Sequence, residues 1–384
     1  MNKKKHICFF TGKRGGFTHL IPIIELIAKK ADFSYSIIAS DMHLSKFFGN
    51  TIEEVHSWVG NVYPVETLMY SSSKLARAKS IGIGILGISE LLAQIKPDFV
   101  FILGDRGEVL GMAICALEMN IPIIHLFGGD VTQGGVDEPV RHAITKLATI
   151  HLTSNKESAD RVLKMGEEPW RVHVVGSPVL DLIKHKRFTP PEQIIEKFDL
   201  NLDNPVILLL QHSVTWQVED AEYQIRQTMA AIDQLGFQTI AVYPCADPGY
   251  EKIIEVLQEY EQRSYFQLYN NIEFSDYWGL MNVAGVFVGN SSAGVMETPS
   301  FHLPFVNIGI RQEDRLRADN VIDSDHDKNQ IAEAIQTALT DNEFRNKVSN
   351  CKSPYGDGTA ADRIVSILSN LQKNQTIIRK KITF

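Results

Sequence analysis

Four cysteines in 384 residues, Cys8, Cys115, Cys245 and Cys351, are too few and too scattered for a disulfide framework or a thiolate metal site. Cys8 and Cys115 sit in apolar stretches and read as core residues, whereas Cys245 and Cys351 fall in loops. Twelve histidines are present, but none forms an H-x-x-x-H or H-E-x-x-H pattern, and His142 and His151 are too loosely spaced to share an ion. No metal and no cofactor is expected. Positive charge is also short: 38 Lys and Arg against 46 Asp and Glu leave a net charge of −8. That balance argues against nucleic acid or an anionic membrane as a partner, since both call for a basic face. No apolar run reads as long enough to span a bilayer. The basic start Met1-Asn2-Lys3-Lys4-Lys5-His6 is followed only by Ile7–Phe10 before Thr11-Gly12-Lys13-Arg14, which reads as a first β-strand and not a signal peptide. A reducing cytoplasm is the expected compartment, and there the Asn290-Ser291-Ser292 sequon carries no glycan.

The rest of the composition is ordinary. Hydrophobic residues at 44% and charged residues at 22% suit a globular chain, and the length suits two domains. Short apolar runs alternate with helical patterns, which predicts α/β architecture with parallel sheets. Strands are expected at Ile7–Phe10, Tyr35–Ala39, Phe99–Leu103, Ile121–Leu126, Ile150–Thr153 and His173–Val175, then at Val206–Leu210, Thr239–Tyr243, Phe266–Leu268, Val286–Val288 and Phe305–Ile308. The first helix reads as capped by Thr18, with Leu20, Ile23, Ile24 and Ile27 on one face. Expected boundaries are an N-terminal Rossmann-like domain over 1–182, a polar linker over 183–205, a C-terminal Rossmann-like domain over 206–359, and a helix and tail over 360–384 that crosses back to the first domain. Two such domains are expected to face each other across a cleft, where open α/β sheets bind ligands. Gly82-Ile83-Gly84-Ile85-Leu86-Gly87 matches G-x-G-x-x-G, but no strand precedes it; it reads as a flexible loop and gives no reason to expect a dinucleotide.

Chemistry-bearing residues cluster at strand ends. Val286-Phe287-Val288-Gly289-Asn290-Ser291-Ser292 runs into a helix start, where free N–H groups and two hydroxyls suit a diphosphate, and Glu297 follows within reach of ribose hydroxyls. Arg14 follows the first strand. Asp105, Arg106 and Glu108 follow Phe99–Leu103. His125, Phe127 and Asp130 lie around a Gly128-Gly129 pair, and Asp137, Glu138, Arg141 and His142 come next. His212 follows Val206–Leu210, Asp247 follows Tyr243-Pro244, and Arg311 and Arg315 follow Ile308. Carboxylates thus gather in the first half, and cations with the Ser291 turn gather in the second. An anionic nucleotide suits the second side and acid–base work on a sugar suits the first.

Taken in order, these motifs resemble the UDP-N-acetylglucosamine 2-epimerase family, in particular the hydrolysing branch that supplies sialic, legionaminic and related nonulosonic acids for products such as capsules. The resemblance runs from Thr11-Gly12-x-Arg14 through Gly104-Asp105-Arg106-x-Glu108, Gly128-Gly129, Val136-Asp137-Glu138, Arg141-His142-x-Ile144-x-Lys146 and Gly176-Ser177-Pro178-x-Leu180-Asp181. It continues through Tyr243-Pro244 with Asp247, Gly289-Asn290-Ser291-Ser292-Ala293-Gly294, Gly309-x-Arg311-Gln312 and Pro354-Tyr355-Gly356-Asp357-Gly358. It implies a glycosyltransferase-B type fold, a UDP-sugar substrate with UDP as product, and a homodimer or homotetramer. It also implies acid–base roles for Asp105 and Asp137, a place near the diphosphate for His212, and nucleotide contacts for Arg14, Ser291, Ser292, Glu297 and Arg311. Arg106, Arg141, His142, Ser177, Asp247, Gly289, Asn290 and Arg315 complete the expected substrate-binding set, with Asp130 and Glu108 as further catalytic candidates.

There are departures. Gly15-Gly16 stands where the family often has Ala-Asp or Ala-Glu, and His212-Ser213-Val214-Thr215 where it often has His-Pro-Val-Thr. Phe127 occupies the position of a catalytic glutamate in many members; either it lines the sugar pocket, or it packs and Asp130 supplies the proton. The expected reaction is departure of UDP from C1, loss of the C2 proton to give a glycal, and water addition to release a manno-configured 2-acetamido sugar. Arg106 favours this hydrolysing reading, because the non-hydrolysing branch usually has threonine after the aspartate. A non-hydrolysing epimerase, a non-catalytic UDP-sugar-binding protein and, more distantly, a glycosyltransferase are the alternatives.

Overall fold

The structure, a computed structural model, describes residues 4–58, 60–69, 71, 73–133 and 135–383. Met1, Asn2 and Lys3 of the basic N-terminus lie outside the described residues. The chain divides into two compact units: Met1–Val131, Asp137–Asp181 and Tyr355–Phe384 form the first, and Thr132–Val136 with Leu182–Pro354 form the second.

The first unit is built on a seven-stranded sheet of order β3-β2-β1-β4-β5-β6-β7, every pair parallel. Its strands are β1 (Lys5–Thr11), β2 (Phe33–Ser40), β3 (Val62–Val65), β4 (Phe99–Leu103), β5 (Ile123–Leu126), β6 (Ile150–Thr153) and β7 (Val172–Val174). The chain's first helices are α1 (Arg14–Ala28), α2 (Ile52–Trp58), α3 (Lys74–Ile95), α4 (Gly107–Glu118), α5 (Asp137–Leu147), α6 (Lys156–Lys164) and α7 (Val179–Lys184). Central strands covered on both faces need apolar residues at successive positions, not alternate ones. Cys8, Phe9 and Phe10 on β1 and Phe99 to Ile102 on β4 meet that need and are fully buried.

The second unit carries a six-stranded sheet of order β10-β9-β8-β11-β12-β13, again parallel. The strands are β8 (Val206–Leu210), β9 (Gln238–Val242), β10 (Phe266–Tyr269), β11 (Val286–Gly289), β12 (Phe305–Ile308) and β13 (Val321–Ser324). Its helices are α8 (Pro191–Lys197), α9 (Ala221–Leu235), α10 (Tyr250–Gln258), α11 (Phe274–Val283), α12 (Ala293–Met296), α13 (Lys328–Thr340) and α14 (Asn342–Asn350). Helices α15 (Ala360–Asn370) and α16 (Gln375–Ile378) belong to the first unit again. There α15 packs on α1, the Asp181 carboxylate caps its start by accepting from the N–H groups of Ala360 (3.0 Å) and Ala361 (2.7 Å), and Lys5 Nζ donates to its Leu368 carbonyl at 2.6 Å.

In each sheet the strand order reverses once, between β1 and β4 and between β8 and β11. Loops leaving the carboxyl ends of those two pairs diverge to opposite faces and leave a crevice at the sheet's edge. That geometry singles out Gly12–Arg14 and Gly104–Glu108 in the first unit, and Gln211–Ser213 and Asn290–Ser292 in the second.

Several sequence expectations are corrected. The Gly82–Gly87 run is not a loop: it lies within the 22-residue helix α3. Glycine is needed there for close packing, since a Cβ at Gly87 would come within 2.9 Å of Val65 and one at Gly84 within 3.3 Å of Thr67. By length and composition α3 is also apolar enough to cross a membrane, although no such run was expected. Thr18 does not cap α1, which begins at Arg14; its hydroxyl donates to the Gly15 carbonyl from inside the first turns. The stretch 183–205 contains α8, whose Ile194 is buried and whose Lys197 pairs with Asp276 at 2.5 Å. Strands β3 and β13 went unread because both are edge strands of four residues, one carrying Pro64 and the other Asp323.

Candidate functional site

At the first unit's switch point, β4 ends in Gly104, which takes φ +83° and turns the chain so that Asp105 and Arg106 leave the sheet. Three contacts hold this turn. The buried His125 ring on β5 donates from Nε2 to the Gly104 carbonyl at 2.8 Å, and burial presses its pKa down to about 3, so it stays a neutral donor. Arg141, buried on α5, pairs with the Asp105 carboxylate, which is partly open to solvent. Arg106 Nε donates to Glu108 Oε1 at 2.8 Å. Glu108 has its second oxygen on Arg77 from α3, and Arg77 also reaches Asp41 at the end of β2 at 2.6 Å. Burial raises the Glu108 carboxyl, but the guanidinium groups of Arg106 and Arg77 outweigh it and hold the group below the usual carboxylate range. Asp41 goes the other way: burial and the Glu108 charge push it up against the pull of Arg77 and Arg106. Gly12 is required beneath this cluster, for a Cβ there would lie 2.6 Å from Glu108 Oε1.

The other first-unit candidates separate. Asp137 opens α5 and is half-buried, one turn before Arg141. His142 is exposed and pairs with Glu138 at 3.2 Å, one turn back on the same helix. Asp130 is buried, and its Oδ1 accepts from the hydroxyls of Ser154 (2.5 Å) and Ser158 (2.7 Å). Phe127 is buried in a left-handed backbone conformation, φ +72°, with its ring 4.9 Å from that of His19 in an edge-on arrangement. His19 Nδ1 lies 3.4 Å from the hydroxyl of the fully buried Ser177. Arg14 is the first residue of α1, half-buried beside the β1 loop.

The second unit's edge is organised by one side chain. Asn290 accepts from the His212 N–H at 2.7 Å and donates to the His212 carbonyl at 2.9 Å, imitating a strand pairing between the loops after β8 and β11. Its own carbonyl accepts from Arg311 (3.1 Å) and Gln312 (2.9 Å) on the loop after β12. Gly289 must be glycine: it takes φ +132°, and a Cβ would lie 2.1 Å from the Leu210 carbonyl oxygen. His212 Nδ1 accepts from the Cys245 N–H at 3.1 Å, so the neutral ring carries its proton on Nε2 and is a donor there. The helix after Ser292 is a single turn, Ala293–Met296, interrupted by the Thr298 hydroxyl that donates to the Gly294 carbonyl at 2.6 Å. So short a helix adds little macrodipole, which corrects the expected helix-start seat. What remains are the N–H groups of Ser291 and Ser292, which donate to no protein acceptor among the described residues, and the half-buried Ser292 hydroxyl. Trp278 Nε1 donates to Glu297 Oε2 at 2.6 Å and orients that carboxylate. Arg315 donates to Gln312 (3.0 Å), and the Asp247 backbone closes the loop after β9 by accepting from Tyr250 N–H (3.1 Å). Among the described residues no group of three or more His, Cys, Asp or Glu side chains is arranged to hold a metal ion.

A family model for UDP-N-acetylglucosamine 2-epimerase matches residues 25–369. The chain belongs to that family. It is 33% identical over 379 residues to a UDP-N,N'-diacetylbacillosamine 2-epimerase (hydrolyzing) of Legionella pneumophila, covering 98% of both chains. It is 33% identical over 341 residues to a GDP/UDP-N,N'-diacetylbacillosamine 2-epimerase (hydrolyzing) of Campylobacter jejuni, covering 88% of each. In fold it is similar to a UDP-GlcNAc 2-epimerase of Neisseria meningitidis crystallised with UDP-GlcNAc, with TM-score 0.80, 20% identity, and coverage of 96% of this chain and 100% of that one. The two parallel α/β units are thus those of the epimerase fold, of the glycosyltransferase-B kind.

Within this epimerase, sequence reading missed Arg77, Asp41, His19 and Trp278. Asp41 follows β2, so the strand-end rule that found Asp105 would have found it too. Arg77 and Trp278 lie inside helices, and no local signal ties them to a carboxylate over 30 or 19 residues away.

Proposed function

We propose that this epimerase is of the hydrolysing kind, converting a UDP-2-acetamido sugar into UDP and a free manno-configured 2-acetamido sugar. The observation that carries the reading is 33% identity, over 98% and 88% of the chain, to two relatives named as hydrolysing epimerases; the residues at the two sheet edges supply the chemistry. In the second unit, the Ser291 and Ser292 N–H groups and His212 Nε2 take the diphosphate, Glu297 takes the ribose hydroxyls, and Arg311, steadied on the Asn290 carbonyl, adds positive charge as UDP leaves. In the first unit, Asp105 and Asp137 move the protons. The C2 proton beside an acetamido group is not acidic in the ground state; it becomes so only as C1 gains oxocarbenium character. A carboxylate then removes it to give a glycal, and protonation from the opposite face with water added at C1 gives the manno product. Arg141 holds the Asp105 carboxylate in place. Glu108, with both oxygens on guanidinium groups, is read as a positioning residue for Arg106, and Asp130, with its oxygen on two serines, as a support of the Gly128-Gly129 turn. The reaction runs in the cytoplasm, in a homo-oligomer, on the way to a nonulosonic acid.

Phe127 puts an apolar, buried ring where many members have a glutamate. That favours a substrate carrying a methyl group over one with a hydroxymethyl, and so a 6-deoxy-2,4-diacetamido sugar over N-acetylglucosamine. The same substitution gives weight to one other reading, a non-catalytic UDP-sugar binder. Reaction of both UDP-sugars in D₂O, with products identified by mass and NMR, tests all three. The expected products are UDP and a free manno sugar deuterated at C2, with kcat/KM higher for the diacetamido substrate by about 10–200-fold. Release of an intact UDP-sugar epimer rejects hydrolysis, equal efficiency rejects the preference, and UDP binding without turnover on either substrate establishes the binder.

A further inference from the structure

Residues 375–383 belong to the first unit and are held there mainly by Arg171. This fully buried side chain donates from Nη1 to the Ile377 carbonyl at 2.9 Å, and from Nη2 to the carbonyls of Thr376 and Arg379, both at 3.1 Å. The Thr383 N–H on the Gly166 carbonyl, at 2.9 Å, adds a further tie. The segment is therefore docked without Lys380, whose ammonium is used elsewhere. It donates to the carbonyls of Thr145 (3.1 Å), Lys146 (2.8 Å) and Ala148 (2.8 Å) at the carboxyl end of α5. A helix end leaves such carbonyls without an intrahelical donor, and a cation there also suits the helix dipole. The fully buried Glu167 carboxylate fixes the ammonium at 2.7 Å, and gathers Lys146 (2.7 Å) and His151 (3.0 Å) as well.

Helix α5 holds Asp105 in two ways, both from its last two turns. On the side chain, Arg141 pairs with the Asp105 carboxylate. On the backbone, the Thr145 hydroxyl lies 3.5 Å from His125 Nδ1, and His125 Nε2 donates to the carbonyl of Gly104, the residue before Asp105. With its proton on Nε2 the ring accepts at Nδ1, so the Thr145 hydroxyl is the donor there. We propose that Lys380 is a positioning residue for Asp105. It fixes the last turn of α5, and through Arg141 and the Thr145–His125–Gly104 relay it sets where the Asp105 carboxylate lies. The proposal rests on the reading of Asp105 as a group that moves a proton. Proton transfer needs donor and acceptor within hydrogen-bond reach, so a displacement of about 1 Å costs turnover far more than it costs binding.

UDP release from UDP-N-acetylglucosamine and from its 6-deoxy-2,4-diacetamido relative, measured well below the Tm of each variant, tests this together with UDP calorimetry. Lys380→Met keeps the length and loses the charge. It should lower kcat by about 10–100-fold, with KM and UDP affinity within about twofold of wild type. Thr145→Val removes only the hydroxyl and should lower kcat by about fivefold, the worth of one hydrogen bond. The double variant should stay within about twofold of Lys380→Met, because both changes act on one path. Lys380→Ala should regain part of its lost turnover in propylammonium chloride and none in sodium chloride of equal ionic strength, a response that lowered stability alone does not give. Lys381→Ala, one residue on and with an exposed side chain, should match wild type. Wild-type kcat in Lys380→Met, losses that multiply in the double variant, or a raised KM with kcat unchanged overturns the proposal. Should Lys380→Met not fold, Thr145→Val decides, and wild-type turnover there overturns it. Asp105→Asn, assayed alongside, separates this proposal from the reading it rests on. If Asp105→Asn is inactive while Lys380→Met is unimpaired, only the role of Lys380 falls; if Asp105→Asn turns over like wild type, both fall.

Discussion

The two switch points of this chain lie at matching places in matching sheets, yet they are built from different materials. The first is a set of charges. Asp105 sits on Arg141, and Glu108 sits on Arg106 and Arg77 with Asp41 alongside. The second is framed by a neutral residue: the Asn290 side chain bridges to His212, its backbone carbonyl accepts from Arg311 and Gln312, and a histidine is fixed in its Nε2–H form by a backbone donor. A group that must give and take a proton needs its affinity tuned by neighbouring charge, which the first edge supplies. A seat for a diphosphate needs donors already aimed, which the second supplies. The difference implies a division of labour that substitutions can break one side at a time.

The largest effect is expected on the charged side. Asp105→Asn or Asp137→Asn should lower turnover by roughly 10²–10⁴-fold, the usual worth of a positioned acid or base, with UDP affinity unchanged by calorimetry. A wild-type rate in either variant removes that residue from the mechanism. Loss of UDP binding would show instead that the edges are not separable.

On the neutral side, Asn290→Ala removes both bonds to His212 and frees the loop that carries Ser291 and Ser292. UDP affinity should fall by about 10–100-fold, from two hydrogen bonds of roughly 1 kcal/mol each and the loss of a fixed donor geometry. Unchanged UDP binding would mean the amide bridge does not organise the seat. Glu297→Ala and Arg311→Ala remove single charge-assisted contacts and should each weaken UDP binding about tenfold. If neither does, the nucleotide does not lie at this edge.

Legibility from sequence followed the same division. Strands such as Phe99–Leu103, Ile150–Thr153, Val206–Leu210 and Phe305–Ile308 were readable to the residue, because buried parallel strands are largely apolar runs that end where glycine or polar residues begin. The rule that ligands meet strand ends then pointed to Asp105, His212 and Asn290. What could not be read was pairing across the chain. Arg77 meets Glu108 from 31 residues away, and Trp278 meets Glu297 from 19; neither spacing has a local signature. Nor could sequence distinguish a carboxylate left partly open, as Asp105 is, from one enclosed by hydroxyls, as Asp130 is. The Gly82–Gly87 run misled for a related reason, since a glycine that serves helix packing looks like one that serves a turn.

The smallest predicted effect sharpens the comparison through pH. The first unit buries His43 between Thr11 and Thr51, with Nε2 2.9 Å and Nδ1 2.7 Å from their hydroxyls, and burial lowers its pKa from 6.5 to about 4. His125 and His151 in the same unit are depressed by burial as well. A histidine kept neutral in the fold but free to charge when unfolded contributes stability that is whole above 6.5 and is lost as pH falls toward and through 4. For His43 alone the loss should reach about 1 kcal/mol near pH ~5.5. His43→Gln, which cannot titrate, should therefore be less stable than wild type at neutral pH by its lost hydrogen bond, with the gap in Tm closing as pH falls through this window. A gap that stays constant would mean that His43 takes up its proton as readily in the fold as in the unfolded chain, and a gap that widens would mean that the fold favours the charged ring; either result overturns the buried neutral His43.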